Sequence, residues 1–392
     1  MPWNRVLPMD QKRQLVADYH RDVLTVEELS ERYGVSRKTI YKWVNRFAQD
    51  GQQGLEERSR RPYTSPNQTS PEVVRALLEV QKRHGWGAKK LRRILMDRDP
   101  RVAWPSVATF STILERNGCV VGKRRKRWPG HPGAPPTLPE APNVVWSADF
   151  KGQFRTLDGR YCYPLTVTDN YSRYLLGCQA LRSTACASAK SVFVRLFREF
   201  GLPDRIRTDN GVPFATVSLG RMSSLSGWWI RLGVMPELIE PGKPQQNGRH
   251  ERMHRTLKAE TARPPAANLR AQQRVFNSFR ETFNKVRPHE ALDLATPGAF
   301  YTPSPRPYPE KLPPLDYPAH FEKRYVSYNG GMKWKSNWVC VSRICQGEYI
   351  GLEEVDNEVW DVYFGPLRIG RFYEQLMRIQ DDAGRLFRHQ KL

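Results

Sequence analysis

The sequence predicts a multidomain chain: all-α helix-turn-helix modules first, an α/β mixed-sheet core next, and a small C-terminal β-barrel. Three observations carry this. Apolar residues recur at helical spacing up to about residue 117. From residue 143 three strand-like runs follow one another, after which helix and strand alternate. Beyond a proline-rich stretch, short runs separated by Gly/Asn turns fill the remaining residues. The 392 residues, 39% of them hydrophobic, suit several small cores better than one large one. The expected divisions are 1–51, a linker at 52–69, a second helical module at 70–121, a basic Pro-rich linker at 122–142, the core at 143–300, a Pro-rich linker at 301–320, and the barrel at 321–392.

The elements can be argued in order. Residues 10–22 read as a helix with Leu15 and Val16 inward. Thr25 and Glu28 form a capping box that opens a helix over Val26–Tyr33, and Gly34 closes it. Ser36 caps a third helix running to about Phe47, with Leu29, Val35, Ile40 and Trp43 as its core partners and small Ser30 at the close approach. Two short helices around a glycine turn match a helix-turn-helix. Ser36, Arg37, Lys38, Thr39 and Lys42 then lie on the recognition helix, where base contacts are made. A second, looser helix-turn-helix is expected from helices at about 71–84, 87–98 and 105–117, the last opened by Pro105-Ser106. The run Lys123, Arg124, Arg125, Lys126 and Arg127 follows, suited to tracking a phosphate backbone.

Strands are expected over Asn143–Phe154, Tyr161–Thr168 and Arg173–Leu181. The middle one alternates, with Cys162, Pro164 and Thr166 against Tyr163, Leu165 and Val167. A helix at about Ala185–Phe200, a strand at Asp204–Thr208, a helical stretch past Trp228–Leu232, a strand at Val234–Ile239 and helices from about Gln246 and Leu269 complete the core. In the last part, strands are expected over Arg324–Tyr328, Lys335–Val341, Glu348–Glu354 and Glu358–Phe364.

Composition narrows the function classes. The net charge is +23. It is concentrated in residues 1–140 (27 basic, 15 acidic) and 141–300 (23 basic, 13 acidic), whereas residues 301–392 are nearly neutral (13 basic, 12 acidic). Such a distribution points to a polyanion partner, nucleic acid first. No apolar run approaches the ~18 residues of a membrane span, and Met1–Arg5 opens no signal peptide. The six cysteines form no C-x-x-C pair, so neither a zinc ribbon nor a disulfide framework is expected, and a reduced cytoplasmic compartment is. No glycine-lysine phosphate loop is present, which removes ATP-driven readings.

Three carboxylates stand out. Asp149 closes the first strand in Trp146-Ser147-Ala148-Asp149. Asp209 follows the fourth in Thr208-Asp209-Asn210-Gly211. Glu251 opens a helix after the turn-rich Pro241–Gly248. Carboxylates converging from separate elements are what a hard divalent cation requires: Mg²⁺ takes oxygen ligands and leaves positions for substrate. Two such ions about 3.5–4 Å apart clamp an in-line displacement. His254, Arg255 and Lys258 lie at i+3, i+4 and i+7 from Glu251, on one helical face, where they are expected to hold DNA.

W-x-x-D, T-D-N-G and P-x-Q-N-G-x-x-E-R, in this order, resemble the DDE catalytic core of the retroviral integrase superfamily, and in particular bacterial insertion-sequence transposases. Asp158-Gly159, Thr168–Arg173 and Asn284–His289 extend the resemblance across about 140–300, and the two helical modules resemble those of the same transposases. The resemblance implies a ribonuclease-H-like fold, catalytic and metal-binding roles for Asp149, Asp209 and Glu251, and Mg²⁺ or Mn²⁺, two ions when DNA is bound. It implies DNA cleavage and strand transfer at terminal repeats, double-stranded DNA of element ends and target as partner, a homo-oligomer of at least two copies, and a bacterial, nucleoid-associated setting. One departure is a longer stretch between Asp209 and Glu251, with Thr216–Gly227 as the insertion. Two alternatives stay open: a catalytically inactive, transposase-derived DNA-binding regulator, and a zinc metalloprotease, because His250-Glu251-Arg252-Met253-His254 matches H-E-x-x-H.

Overall fold

The computed structural model describes residues 7–59, 68–120, 137–382 and 384–386. The expected basic run Lys123–Arg127 lies outside the described residues. The chain divides into two compact units, Met1–Ser70 and Pro71–Leu392.

The first unit holds α1 (Pro8–His20), α2 (Val26–Tyr33) and α3 (Arg37–Asp50). The capping box is present: Thr25 Oγ1 accepts from the Glu28 N–H at 3.3 Å, and the Thr25 N–H donates to Glu28 Oε2 at 2.7 Å. Gly34 ends α2 at φ 61°, the left-handed region that favours glycine. The Ser30 hydroxyl donates to the Val35 carbonyl at 2.5 Å, which ties the turn down where a larger residue would separate the helices. Leu15, Val16, Leu29, Ile40, Trp43 and Val44 form the core, and Leu55 from the turn Gly51–Leu55 seals it. The module therefore continues past residue 51, where the sequence suggested a linker.

The second unit begins with α4 (Pro71–His84), α5 (Ala88–Arg98) and α6 (Val107–Arg116), packed around Leu77, Trp86, Leu91, Leu95 and Phe110. The core then runs β1 (Val145–Phe150), β2 (Phe154–Arg155), β3 (Tyr161–Asp169), β4 (Leu175–Leu181), α7 (Cys186–Phe200), β5 (Arg205–Thr208), α8 (Ser224–Arg231), β6 (Met235–Leu238), α9 (Gly248–Thr261) and α10 (Leu269–Glu281). The first expected strand is thus two, broken at Lys151–Gln153. The sheet order is β2-β3-β1-β5-β6, with β4 also on β3; β3 is antiparallel to β1, while β5 and β6 run parallel with it. The β3 alternation sorts the two faces. Leu165 and Val167 join α7 and Trp229 in one apolar cluster, while Cys162 joins Met253, Leu257 and Phe276 of α9 and α10 in another.

The proline-rich stretch is no free tether. The Leu202 N–H donates to the Arg306 carbonyl and the Ser304 N–H to the Phe200 carbonyl, while Arg306 pairs with Asp204 at 3.0 Å. Tyr301, Tyr308 and Leu312 pack on the core cluster.

The remaining strands are β7 (Glu322–Tyr325), β8 (Gly331–Trp334), β9 (Asn337–Cys340), β10 (Tyr349–Asp356), β11 (Val359–Phe364), β12 (Leu367–Tyr373) and β13 (Arg378–Gln380). The expected closed barrel is not what forms. Five strands make an open antiparallel sheet, β13-β12-β11-β10-β7, and β8-β9 is a separate hairpin that meets it through the Val326–Met332 bridge just past β7 and through Trp334 against Trp360 and Phe372. The expected strand Lys335–Val341 contains the hairpin's own turn residue, Lys335 at φ 51°. The insertion Thr216–Gly227 has a partner here: its Leu219 and Met222, with Ile230 of α8, lie in the same buried cluster as Ile350, Val362, Ile369 and Phe372.

Candidate metal centre

β1 and β5 run parallel in the register Val145–Arg205, Trp146–Ile206, Ser147–Arg207. Two residues further on, side chains return to the same face, so Asp149 and Asp209 emerge at one level on one side of the sheet. Asp149 is still inside β1, opposite Thr166 of β3, whereas Asp209 sits one residue past β5. The Gly211 N–H donates to Asp209 Oδ1 at 3.1 Å and fixes that carboxylate from its loop. Glu251 occupies the first turn of α9 and is exposed.

Asp149 feels the charges of the other two. Burial pushes the Asp149 carboxyl up to about 7, and the Asp209 carboxylate adds to the rise, with a smaller push from Glu251. The Phe150 backbone N–H and Lys151 work against it. A divalent cation beside Asp149 would relieve this repulsion; among the described residues, the group whose possible ligand atoms lie within 4.8 Å of one another is Asp149, His250 and His254, and Asp209 and Glu251 are not in it. The all-oxygen donor set suits Mg²⁺ or Mn²⁺.

The buried stripe of α9 is His250, Met253, His254, Leu257 and Thr261. This corrects the expected DNA contact at His254, which is 2% exposed and faces inward. Arg255 and Lys258 are exposed, as a phosphate contact requires. The two histidines meet β3. His250 Nε2 lies 2.7 Å from Thr166 Oγ1 and its Nδ1 2.8 Å from Thr168 Oγ1, while His254 Nε2 lies 2.5 Å from Thr166 Oγ1 and its Nδ1 3.5 Å from Asp149 Oδ2. Burial pushes His250 down to about 3 and His254 further below the ordinary imidazole range, so both are neutral. One ligand atom from each of Asp149, His250 and His254 falls within a 4.8 Å group, yet both nitrogens of His250 already meet threonine hydroxyls. The H-E-x-x-H geometry of a zinc protease, with both imidazoles free to ligate, is therefore not met. Sequence reasoning missed Thr166 and Thr168. Their signal was visible: two hydroxyls on the β3 face that carries buried Cys162, opposite two histidines at i and i+4.

Other matching motifs turn out to build the frame. Asp169 Oδ1 accepts from the Asn143 N–H at 2.8 Å and Oδ2 from the Ser172 N–H at 2.7 Å, so this buried carboxylate pins a turn. Asn284 clamps β4 by exchanging two hydrogen bonds with the Leu175 backbone. Arg287 pairs with Glu260 and lies 5.2 Å from the Trp86 ring, which seats the second helical module against the core. In the first unit, Arg37, Lys38 and Lys42 are exposed, while the Ser36 and Thr39 hydroxyls lie 2.9 Å apart at the start of α3, where Ser36 also caps the Thr39 N–H.

Family models agree with this layout. Integrase core domain models match residues 139–244 and 232–297, a helix-turn-helix domain model matches 11–63, and a homeodomain-like domain model matches 39–114. The chain is 30% identical over 164 residues to the insertion element IS407 uncharacterized 31.7 kDa protein of Burkholderia multivorans, covering 42% of this chain and 57% of that protein. It is 30% identical over 193 residues to the Gag-Pol polyprotein of baboon endogenous virus, covering 47% of this chain and 10% of the polyprotein. The chain thus spans little more than half of the first relative and a tenth of the second. Among solved structures, the HTLV-2 integrase catalytic core domain in complex with magnesium aligns at 14% identity with a TM-score of 0.31, covering 41% of this chain and 97% of that one. A simian T-cell lymphotropic virus intasome chain aligns at 16% identity with a TM-score of 0.37, covering 75% and 98%.

The matches give helix-turn-helix modules ahead of an integrase core domain with a mixed sheet. By these matches the chain is similar to insertion-element proteins and retroviral polyproteins that carry an integrase core. Among the described residues no helix is long and apolar enough to cross a membrane.

Proposed function

We propose that this chain is a transposase that binds the terminal repeats of its element and cuts and joins DNA strands at a centre formed by Asp149, Asp209 and Glu251. The observation that supports the reading is the parallel β1–β5 register, which puts Asp149 and Asp209 at one level on neighbouring strands, with the Glu251 charge near enough to act on Asp149. The three carboxylates would hold Mg²⁺ or Mn²⁺, as one ion or a pair. A bound divalent ion activates the attacking oxygen and stabilises the leaving one.

The chain's own residues do the rest. Arg255 and Lys258 lie one and two turns beyond Glu251 and grip phosphates next to the carboxylates. Arg37, Lys38 and Lys42 present positive charge at the start and along α3, with Ser36 and Thr39 shaping its N-terminus. The basic run Lys123–Arg127 follows the DNA backbone between the modules and the core. Joining two element ends calls for at least two copies of the chain. The presence of all three carboxylates favours an active enzyme over an inactive regulator.

The test is strand cleavage and joining on duplexes that carry the element's own ends, with Mg²⁺ or Mn²⁺. Asp149→Asn, Asp209→Asn and Glu251→Gln should each abolish both reactions while DNA binding persists. Cleavage by any of the three at the wild-type rate would overturn the assignment.

A further inference from the structure

Behind Asp149, two threonines of β3 and two histidines of α9 form a chain of contacts closed to solvent. Thr168 Oγ1 lies 2.8 Å from His250 Nδ1, His250 Nε2 lies 2.7 Å from Thr166 Oγ1, and Thr166 Oγ1 lies 2.5 Å from His254 Nε2. His254 Nδ1 then faces Asp149 Oδ2 at 3.5 Å. That last contact is long for a hydrogen bond; site contacts of this kind commonly tighten once their ligand is in place. The rings stand edge to face with centroids 4.5 Å apart, and neither reaches solvent.

The donor arithmetic gives this chain a direction. A neutral imidazole has one N–H and one bare nitrogen, a hydroxyl has one hydrogen, and a carboxylate only accepts. Beginning at an ionised Asp149, His254 must carry its hydrogen on Nδ1. Its bare Nε2 then accepts from the Thr166 hydroxyl. The Thr166 oxygen accepts from the His250 Nε2–H, and His250 Nδ1 accepts from the Thr168 hydroxyl. The other acceptor within reach of the Thr166 hydroxyl, the Asp149 carbonyl at 3.2 Å, is the more distant one. The two histidines are thus opposite tautomers, and every polar atom among them has a partner.

We propose that His254 is a positioning residue of the metal centre, held by Thr166 and His250, that aims Asp149 Oδ2 and couples the β1 carboxylate to the helix carrying Glu251. The placement of polar residues on α9 supports this. Elsewhere on its buried stripe, Met253 and Leu257 pack with Phe276 and Cys162 in an apolar cluster, and imidazoles occur only where the helix crosses Thr166 and Thr168. The inference rests on the reading that Asp149 binds the metal.

Two measurements on the full chain test it. With ¹⁵N-labelled histidine, NMR should show His254 as the Nδ1–H tautomer and His250 as the Nε2–H tautomer, assigned by loss of each signal in His254→Asn and His250→Gln. Two identical tautomers would overturn the relay, whatever the variants do. Titration calorimetry with Mn²⁺ supplies the second readout. His254→Leu should weaken binding by about 10–100-fold, the usual cost of losing a residue that orients a metal ligand. His254→Asn, which keeps a donor and an acceptor, should restore most of it. If Asp149→Asn loses Mn²⁺ while His254→Leu binds it as wild type does, the positioning role is wrong and the metal assignment stands. If Asp149→Asn itself binds Mn²⁺ as wild type does, the metal assignment is what fails.

Discussion

Asp149 and Asp209 stand two residues beyond the paired Ser147 and Arg207, at one level on neighbouring parallel strands. Parallel pairing is what makes this possible, since in-register residues of parallel neighbours share a face and a direction of travel. An apolar strand interior, with Ala148, Val145 and Ile206 fully buried, ends in both cases at the residue that must meet solvent and charge. The fold therefore brings together two like charges that repel unless a cation or a proton separates them.

The proton's share of that work is measurable. Folding raises the Asp149 carboxyl from an ordinary 3.8 to about 7. Between those values the folded protein holds a proton that the unfolded chain has lost. The resulting stability is full below about pH 4 and disappears as the pH rises through about 7. Asp149→Asn abolishes this dependence. In EDTA the variant should melt above wild type at pH 8 and together with it at pH 4. Added Mn²⁺ should raise the melting temperature of wild type at pH 8 and leave the variant where it was. Equal melting of the two metal-free proteins at pH 8 would contradict the burial of Asp149, and the neighbouring Asp209 charge, as the cause of its raised carboxyl.

His250 gives a prediction that differs from what its motif suggests. As a zinc ligand it would be dispensable in a transposase; as a fully buried imidazole bonded to Thr166 and Thr168 it is part of the core. His250→Ala leaves a cavity and two hydroxyls short of a partner, at a cost of about 2–4 kcal/mol. Denaturant unfolding should show that loss, and dialysis against zinc should leave wild type and variant with the same zinc content, since His250 is not a ligand. An unchanged unfolding midpoint would show the site to be looser than its distances indicate.

Much of this arrangement was legible beforehand, and the failures have physical causes. Thr25, Gly34 and Ser36 marked their helix ends because capping is local chemistry. The carboxylates were legible because an apolar strand that stops at an Asp announces a site. His254 was misplaced because helical spacing groups it with Glu251, Arg255 and Lys258, whereas the face that packs is decided by β3. The barrel expectation failed for a similar reason. Turn signals reveal hairpins, but closure depends on long-range pairing, and Leu367–Tyr373 and Arg378–Gln380 went unread as strands. The role of the insertion went unread because its apolar residues have no partner nearby in sequence.

That partner is the C-terminal sheet, and the two should fail together. Leu219 is fully buried against it, and a Cβ on Gly220 would come within 2.9 Å of Ile369. Arg231 adds an ion pair to Glu348 at 2.7 Å. Leu219→Ala should cost about 2–4 kcal/mol. Limited proteolysis of the full chain should then expose residues 216–231 and the C-terminal sheet at the same protease dose. Cleavage confined to one of the two segments would show that they are energetically separate.

The first helical unit yields the last prediction, because its candidate DNA residues divide by what they already touch. Ser36 is committed to the backbone: its Oγ accepts from the Thr39 N–H at 3.3 Å. Ser36→Ala should therefore cost about 1 kcal/mol of stability through the lost cap. Arg37 is exposed but already pairs with Glu27 at 2.9 Å, so DNA must compete for it. Lys38 and Lys42 are exposed, and Lys42 reaches back only as far as 4.8 Å from the Trp43 ring. Each phosphate contact releases condensed counterions, so each lysine that makes one adds about 1 to the slope of log affinity against log salt. Fluorescence anisotropy on a duplex carrying the terminal repeat, read over a series of salt concentrations, separates these roles. Lys38→Ala combined with Lys42→Ala should weaken binding at low salt and flatten the slope by about 2. Ser36→Ala, measured well below its melting temperature, should keep the wild-type slope. A double lysine variant with an unchanged slope would place the phosphate contacts of this unit somewhere other than α3.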